Sequence, residues 1–243
     1  MNDKIALVTG ANKGIGYEVA RQLGKRGITI LVGARNETLG REAAEKLKAE
    51  GVDARFVRLD VTEQTTIERA ASEIEREFGK LDILINNAGV ADMSETTTTP
   101  SQLKIDVLRR IFETNFFGAF AVTKAMLPLV RKSEAGRIVN VSSGLGSLAQ
   151  QSDADWEFAQ INALAYCSSK TALNQMTVQF AKELRDTAIK VNSADPGYTA
   201  TDLNHHNGMR TVEQGATVIV RLATLPDDAT SGGFFDENGA VAW

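Results

Sequence analysis

Short apolar runs alternate with stretches whose apolar residues return every three or four positions, and the alternation continues along the chain. Ile5-Ala6-Leu7-Val8 is the continuous apolar sequence that a strand shows when helices cover both its faces. A glycine-rich turn follows, and then Ile15, Val19, Ala20 and Leu23 mark a helical stripe that ends near Gly27. The cycle repeats with a strand over 28–32, a helix carrying Leu39, Ala43 and Leu47 as far as Gly51, and a strand over 56–61. Ile67, Ala70, Ala71, Ile74 and Phe78 form the next helical stripe, and 81–85 the fourth strand. A long helical region from Leu103 to about Arg131 holds Gly118 inside it and Pro128 near its end, with Thr96-Thr97-Thr98-Thr99-Pro100 as the loop and cap before it. Strands over 137–141, 190–194 and 233–235 are separated by a helix from Tyr166 to about Arg185 and a shorter one over 213–223. Alternation this regular, with short links, predicts an α/β fold: one domain over 1–243 built on a parallel, doubly wound sheet.

At 243 residues the chain is long enough for a sizeable core, and 43% apolar with 24% charged residues is ordinary for a globular protein in water. A net charge of −4 without a Lys/Arg cluster argues against nucleic acid and anionic membrane surfaces as partners. The longest apolar stretch, Phe116 to Val122, is too short to span a bilayer, and Met1-Asn2-Asp3-Lys4-Ile5 lacks the layout of a signal peptide. The single cysteine, Cys167, cannot form an internal disulfide and suits a reducing compartment, so cytoplasmic residence is expected. His205 and His206 stand together without a nearby cysteine, which reads as a surface turn, and no metal site is expected.

The candidate chemistry starts with Tyr166 and Lys170. On a helix this spacing stacks the two side chains on one face. A free phenol titrates near ~10. A fixed ammonium beside it favours the phenolate, so the pair can exchange a proton at a useful pH. The same spacing occurs on many surface helices, and it gains meaning from a second stretch. Thr9-Gly10-Ala11-Asn12-Lys13-Gly14-Ile15-Gly16 lies between the first strand and the first helix. There Gly10 permits a tight turn, Gly14 lets backbone approach a pyrophosphate, and Gly16 lets the helix pack close to the strand, with N–H groups at the helix start facing the phosphates. The spacing G-x-x-x-G-x-G differs from the common G-x-G-x-x-G fingerprint, yet its position between strand and helix points to dinucleotide binding.

Further stretches extend this pair: Asn86-Asn87-Ala88-Gly89, Asn115 within Glu113-Thr114-Asn115-Phe116-Phe117-Gly118, Ile138-Val139-Asn140-Val141-Ser142-Ser143, and Pro196-Gly197-Tyr198-Thr199-Ala200-Thr201. With them the chain resembles the short-chain dehydrogenase/reductase family along its whole length, and most of all its carbonyl reductases. The resemblance implies a Rossmann fold with a seven-stranded, mostly parallel sheet in the order 3-2-1-4-5-6-7 and helices on both faces. It implies that Tyr166 protonates a carbonyl oxygen as a hydride arrives from nicotinamide. Lys170 lowers the phenol's pKa and holds the nicotinamide ribose, Ser143 hydrogen-bonds the same oxygen, and Asn115 anchors a water for proton resupply. Ser142 points the other way on a period-two strand and is expected to pack. Coenzyme contacts are implied for Gly10, Asn12, Lys13, Gly14, Ile15 and Gly16, for Asp60 and Val61, for Asn87, Ala88 and Gly89, for Tyr166 and Lys170, and for Pro196, Gly197, Thr199 and Thr201. Asn86 and Asn87 are expected to brace the sheet and the adenosine ribose.

Cofactor choice is read at the end of the second strand. Val32-Gly33-Ala34-Arg35-Asn36 carries no acid to bind a ribose 2′-hydroxyl, whereas Arg35 and Lys13 offer two cations to a 2′-phosphate, so NADP(H) is expected. Two segments depart from compact family members. An insert over about 150–162 mixes Asp153, Asp155 and Glu157 with Trp156, Phe158 and Ile161, the composition of an amphipathic lid or helix. Its position favours a monomer, because such inserts cover a helix face that relatives use to dimerise. The substrate lid, about 201–213, is short, which suggests an open pocket. The expected function is NADPH-dependent reduction of a ketone or aldehyde, with oxidation of a secondary alcohol or reduction of a diketone on the same site as the alternative. A non-catalytic redox sensor is a further reading, disfavoured by the complete set of Ser143, Tyr166, Lys170 and Asn115.

Overall fold

Apolar runs need cover on both faces, and the chain provides it with helices. The computed structural model describes residues 3–243; Met1 and Asn2 of the N-terminal reading lie outside them. Seven strands, Ile5–Thr9 (β1), Thr29–Ala34 (β2), Ala54–Arg58 (β3), Ile83–Asn86 (β4), Arg137–Val141 (β5), Lys190–Ala194 (β6) and Phe234–Phe235 (β7), form one sheet in the order β3-β2-β1-β4-β5-β6-β7. Every strand pairing is parallel. Helices Gly14–Gly24 (α1), Glu37–Ala49 (α2), Gln64–Phe78 (α3), Ile105–Phe112 (α4), Ala119–Val130 (α5), Leu148–Gln151 (α6), Leu164–Glu183 (α7) and Val212–Ala223 (α8) complete the frame. One apolar layer joins Val19, Leu23, Leu47 and Ile219 to one face of the sheet. The other joins Ile67, Ile74, Met126 and Leu173 to the opposite face. No helix among the described residues is long and apolar enough to cross a membrane.

Two boundaries differ from expectation for physical reasons. The third strand lies earlier than 56–61, because its register runs from Ala54 opposite Ile30 to Arg58 opposite Ala34. The chain then turns at Asp60, whose carboxylate accepts from the backbone N–H and the hydroxyl of Thr62. The long helix over Leu103–Arg131 is in fact α4 and α5 joined by a π-helical segment, Glu113–Gly118, whose hydrogen bonds span five residues instead of four and so widen the coil. Asn115 projects from that segment toward the loop after β4, and Gly118 lets it press on the chain at Val61.

Buried polar residues tie the layers together. The Asn86 amide donates to Asn140 and to Thr123, Asn140 donates to Thr177, and the Thr177 and Ser193 hydroxyls share a hydrogen bond at 2.7 Å. This ladder runs across β4, β5 and β6 and into α5 and α7, below the loops that carry the chemistry. It fulfils the expectation that Asn86 braces the sheet. The insert, expected as an amphipathic lid or helix, is not helical beyond α6. After α6 it continues as turns, with Trp156 edge-on to Phe158 at 5.4 Å and Phe158 edge-on to Tyr198 at 5.9 Å. It leaves Phe117 and Phe120 on the outer helix face 52% and 43% exposed, which removes coverage of that face as a ground for a monomer.

Gly118→Ala tests the approach of the π segment. An added Cβ would lie 2.8 Å from Val61 Cγ2 and 2.9 Å from the Val61 carbonyl oxygen, and the latter belongs to backbone that cannot step aside. Alanine is the better helix former, yet overpacking of this kind costs about 1–3 kcal/mol. The expected result is a lower urea midpoint with an unchanged slope in denaturation followed by circular dichroism.

Candidate active site

Strand β1 ends at Thr9, and the chain turns into α1 through glycine. Gly14 sits at φ 58°, a conformation L side chains rarely adopt, and a Cβ on Gly16 would fall 2.4 Å from Asn87 Nδ2. Lys13 caps α1 without a side-chain bond, and the first turn of the helix holds no acid. Its free N–H groups therefore face outward without an internal competitor, the arrangement that takes a phosphate. Asn12 and Ile15 flank this turn and are half-buried. Asn87 holds the loop from behind: its amide donates to the carbonyl oxygens of Thr9 and Gly10, while Thr9 Oγ1 accepts from the N–H groups of Asn87 and Ala88. Thr201 packs beside Gly14, about 3.7 Å from where its Cβ would stand. The donors and the open backbone fit a dinucleotide diphosphate.

At the ends of β2 and β3 a cleft of about 240 Å³ is lined by Arg35, Asn36, Arg58, Asp60 and Glu63. No acid follows β2 within it; its two guanidinium groups share the lining with Asn36 and with two carboxylates that follow β3. Arg58 was not among the residues picked out from the sequence, where it reads as an exposed position on an edge strand. Its placement opposite Ala34 brings it to the same cleft as Arg35. Lys13, expected here, instead pairs with Asp202 at 2.6 Å, joining the glycine loop to the lid. Val61 is buried beneath Gly118.

The catalytic candidates converge where β4, β5 and β6 end. Lys170 is 4% exposed, and its ammonium donates to the Val141 carbonyl oxygen at 2.8 Å and lies 5.6 Å from the centre of the Tyr166 ring. Burial lowers the Lys170 pKa to about 8, against a smaller upward pull from Asp195. The same burial pushes the Tyr166 phenol well above its ordinary value, a shift that the Ser143 hydroxyl opposes and the Asp195 charge reinforces. The expected lowering of the phenol's pKa by lysine does not show in this structure: desolvation is the largest influence on the phenol, and the ammonium is held by a backbone carbonyl. Ser143 is half-buried, and its oxygen accepts from the Leu145 N–H. Ser142 is buried and donates to the Lys170 carbonyl oxygen at 3.4 Å, the packing role expected of it.

Asn115 is 1% exposed and fully engaged as a donor. Its amide nitrogen donates to the Val90 carbonyl oxygen and to Ser169 Oγ, and its oxygen accepts from the Val90 N–H. Ser169 in turn donates to the Tyr166 carbonyl oxygen at 2.7 Å. Asn115 therefore clamps the tyrosine helix to the loop after β4, and its oxygen has one lone pair beyond the bond from Val90. Gly89 lies between the two groups: a Cβ there would sit 3.5 Å from both Asn115 Oδ1 and Lys170 Nζ.

The loop after β6 adds Asp195, another residue the sequence reading passed over. Burial raises its pKa, and the N–H groups of Gly197 and Gly144 donate to it. At Gly144, next to Ser143, Asp195 meets Gln150 and Trp156: a Cβ there would lie 3.0 Å from Asp195 Oδ2, 2.9 Å from Gln150 Oε1 and 3.3 Å from Trp156 Cζ2. Pro196 is buried and Gly197 takes φ 69°. Thr199 departs from its expected part as a coenzyme contact, because it is 5% exposed and its hydroxyl donates inward to the Pro196 carbonyl oxygen at 3.0 Å. In the lid, Asp202 accepts from both Lys13 and His206, and His205 and His206 take left-handed backbone at φ 53° and 61°.

Lys170→Met removes a charge that burial disfavours, so the variant is expected to melt at a higher temperature than wild type at pH 7. The lysine binds its proton up to about pH 8 when folded, against 10.5 for the ordinary side chain. Between these values the unfolded chain holds more protons, and wild-type stability rises with pH. The gap between the two proteins should stay constant below about pH 8 and narrow above it. Thermal melts over that range check the sign, and a gap that widened with pH would contradict the assignment.

The short chain dehydrogenase family profile matches residues 4–211. Salutaridine reductase of Papaver bracteatum is 34% identical over 294 residues, taking in 96% of this chain and 94% of that one, and (+)-neomenthol dehydrogenase of Arabidopsis thaliana is 34% identical over 96% and 95%. Among solved structures, the NADPH-bound carbonyl reductase from chicken fatty liver superposes with a TM-score of 0.85 at 26% identity, covering 99% of each chain. A profile match over that span, with identities above 30% along nearly the whole chain, places this protein in the short-chain dehydrogenase/reductase family of oxidoreductases.

Proposed function

We propose that the protein is an NADPH-dependent reductase of ketones or aldehydes, with Tyr166 as the general acid. The observation that carries this reading is the meeting of Ser143, Tyr166, Lys170 and Asn115 at one end of the sheet, beside a glycine loop with free N–H groups and a cleft holding two arginines. A nicotinamide coenzyme whose diphosphate is held by that loop would supply the hydride. The protein's part is to hold a proton at Tyr166 Oη, to aim the Ser143 hydroxyl at the oxygen that gains charge, and to keep water out. A phenol with a raised pKa stays protonated until an alkoxide forms beside it. Lys170, titrating near 8, can return a proton at physiological pH. Arg35 and Arg58 would take the 2′-phosphate, with Asp60 beside them for the adenine. Trp156, standing against Gly144, together with Phe158 and Tyr198, offers an aromatic cluster of edge-to-face rings beside Ser143, which favours an aromatic or cyclic carbonyl.

NADPH absorbance loss with a panel of aryl ketones, cyclic ketones and aldehydes tests the activity. Tyr166→Phe is expected to lower kcat by a factor of about 10²–10⁴ with little change in the KM for NADPH, and retained turnover would remove the acid assignment. Arg35→Ala and Arg58→Ala should each raise the KM for NADPH about tenfold while leaving NADH kinetics unchanged, the loss appropriate to one charge-assisted hydrogen bond. Ala34→Asp combined with Arg35→Ala should turn preference toward NADH; unchanged specificity constants would contradict the 2′-phosphate assignment.

A further inference from the structure

Helix α7 carries Tyr166 in its first turn, and that turn has no local cap. The N-cap residue is Ala163, which offers no side-chain acceptor. The N–H groups of a helix's first turn lack intrahelical partners, and they are satisfied by a cap, by water or by a distant side chain. Here the Cys167 N–H reaches the Ala163 carbonyl oxygen, while the Ala165 N–H donates to Glu95 Oε2 at 2.7 Å and the neighbouring Tyr166 N–H helps hold the charge of the same carboxylate. Glu95 is 70 residues away in sequence and only 2% exposed, and its other oxygen, Oε1, has no partner in the protein.

Burying a carboxylate disfavours its charge, and desolvation does push the Glu95 pKa up. The surroundings are built to hold it there nonetheless. Asp92 accepts from the N–H and hydroxyl of Ser94, the Glu95 N–H donates to the Asp92 carbonyl oxygen, and the Thr98 N–H donates to the Glu95 carbonyl oxygen. Arg110 of α4 pairs with Asp92 at 2.6 Å. A bridge between Thr97 and Asn162 joins this turn to the chain just ahead of α7. Below the phenol, Asn115 and Ser169 hold the Tyr166 carbonyl oxygen from the other side.

We propose that Glu95 is a positioning residue for the reaction, fixing the first turn of α7 and thereby the place of the Tyr166 hydroxyl. An acid at a helix start also meets the positive end of the helix dipole, which favours this carboxylate over a neutral acceptor. The inference rests on Tyr166 being the acid, since turnover depends on where its oxygen stands.

The test compares wild type with Glu95→Gln, which keeps one acceptor oxygen without the charge, and Glu95→Ala, which removes both. Hydrogen exchange over 164–167 should quicken in the order wild type, Gln, Ala, with the strands of the sheet unaffected. In the same order kcat with NADPH and an accepted ketone should fall, by about tenfold or more for Ala, as expected when a reacting group is displaced by a fraction of an ångström. The dissociation constant for NADPH, read by fluorescence, should stay within about twofold, because the residue touches no part of the coenzyme loop. Exchange at the wild-type rate in both variants overturns the proposal, as does unchanged kcat in both, or exchange that quickens equally in the sheet. If Glu95→Ala does not fold, Glu95→Gln is read alone by these criteria. The exchange measurement is independent of the chemistry: quickened exchange with an active Tyr166→Phe variant would condemn the acid assignment, not the anchoring.

Discussion

An ammonium with almost no contact with water has to find an oxygen, and the carbonyl of Val141 is the one Lys170 finds. Much of the site follows from that constraint. The lysine can reach the last residue of β5 only if α7 lies directly against the ends of the central strands. That placement sets Tyr166 one turn back along the same helix, beside the Ser143 that follows β5. Burial then acts on both members of the pair in opposite senses, lowering the cation's pKa and raising the phenol's, so that each favours its neutral form. The two values therefore move apart, which leaves an ammonium that can release its proton near physiological pH beside a phenol that does not ionise on its own.

The fold was readable because apolar runs leave no other way to be covered. Ile5–Thr9, buried at every position, announces two faces of helices, and the order of strands followed from the resemblance and stands in the sheet. The glycine loop was readable for a similar reason, since few side chains survive the contacts around Gly16. What escaped the sequence lacks any local mark. A π turn differs from an α turn by less than one residue, so the break at Glu113–Gly118 is invisible in a stripe of apolar positions. Arg58 looks like any outward arginine until the register of β3 against β2 is known. Thr199 follows the family's wording, yet its hydroxyl turns inward, a matter of one torsion that no motif records. Glu95 shows the limit most plainly, because a glutamate in a polar loop gives no hint of a helix start far along the chain.

The segment after α6 sets Trp156 and Phe158 against Tyr198, and a single 3₁₀ turn, Asp202–Asn204, follows in the loop after β6. That turn is tied to the glycine loop through the Lys13 and Asp202 pair, both well exposed. Exposed pairs of this kind contribute little to stability, and so the lid can let go of the loop at small cost.

The amide and hydroxyl ladder from Asn86 through Asn140 and Thr177 to Ser193 has a bearing on how such a protein can change. Each rung supplies what the next requires, so replacing one member strands its neighbour in a medium that cannot hydrate it. Substitutions there will be strongly epistatic: a viable descendant swaps several rungs in concert, or none. Beneath loops free to diversify toward new substrates runs a seam that history can rewrite only in blocks.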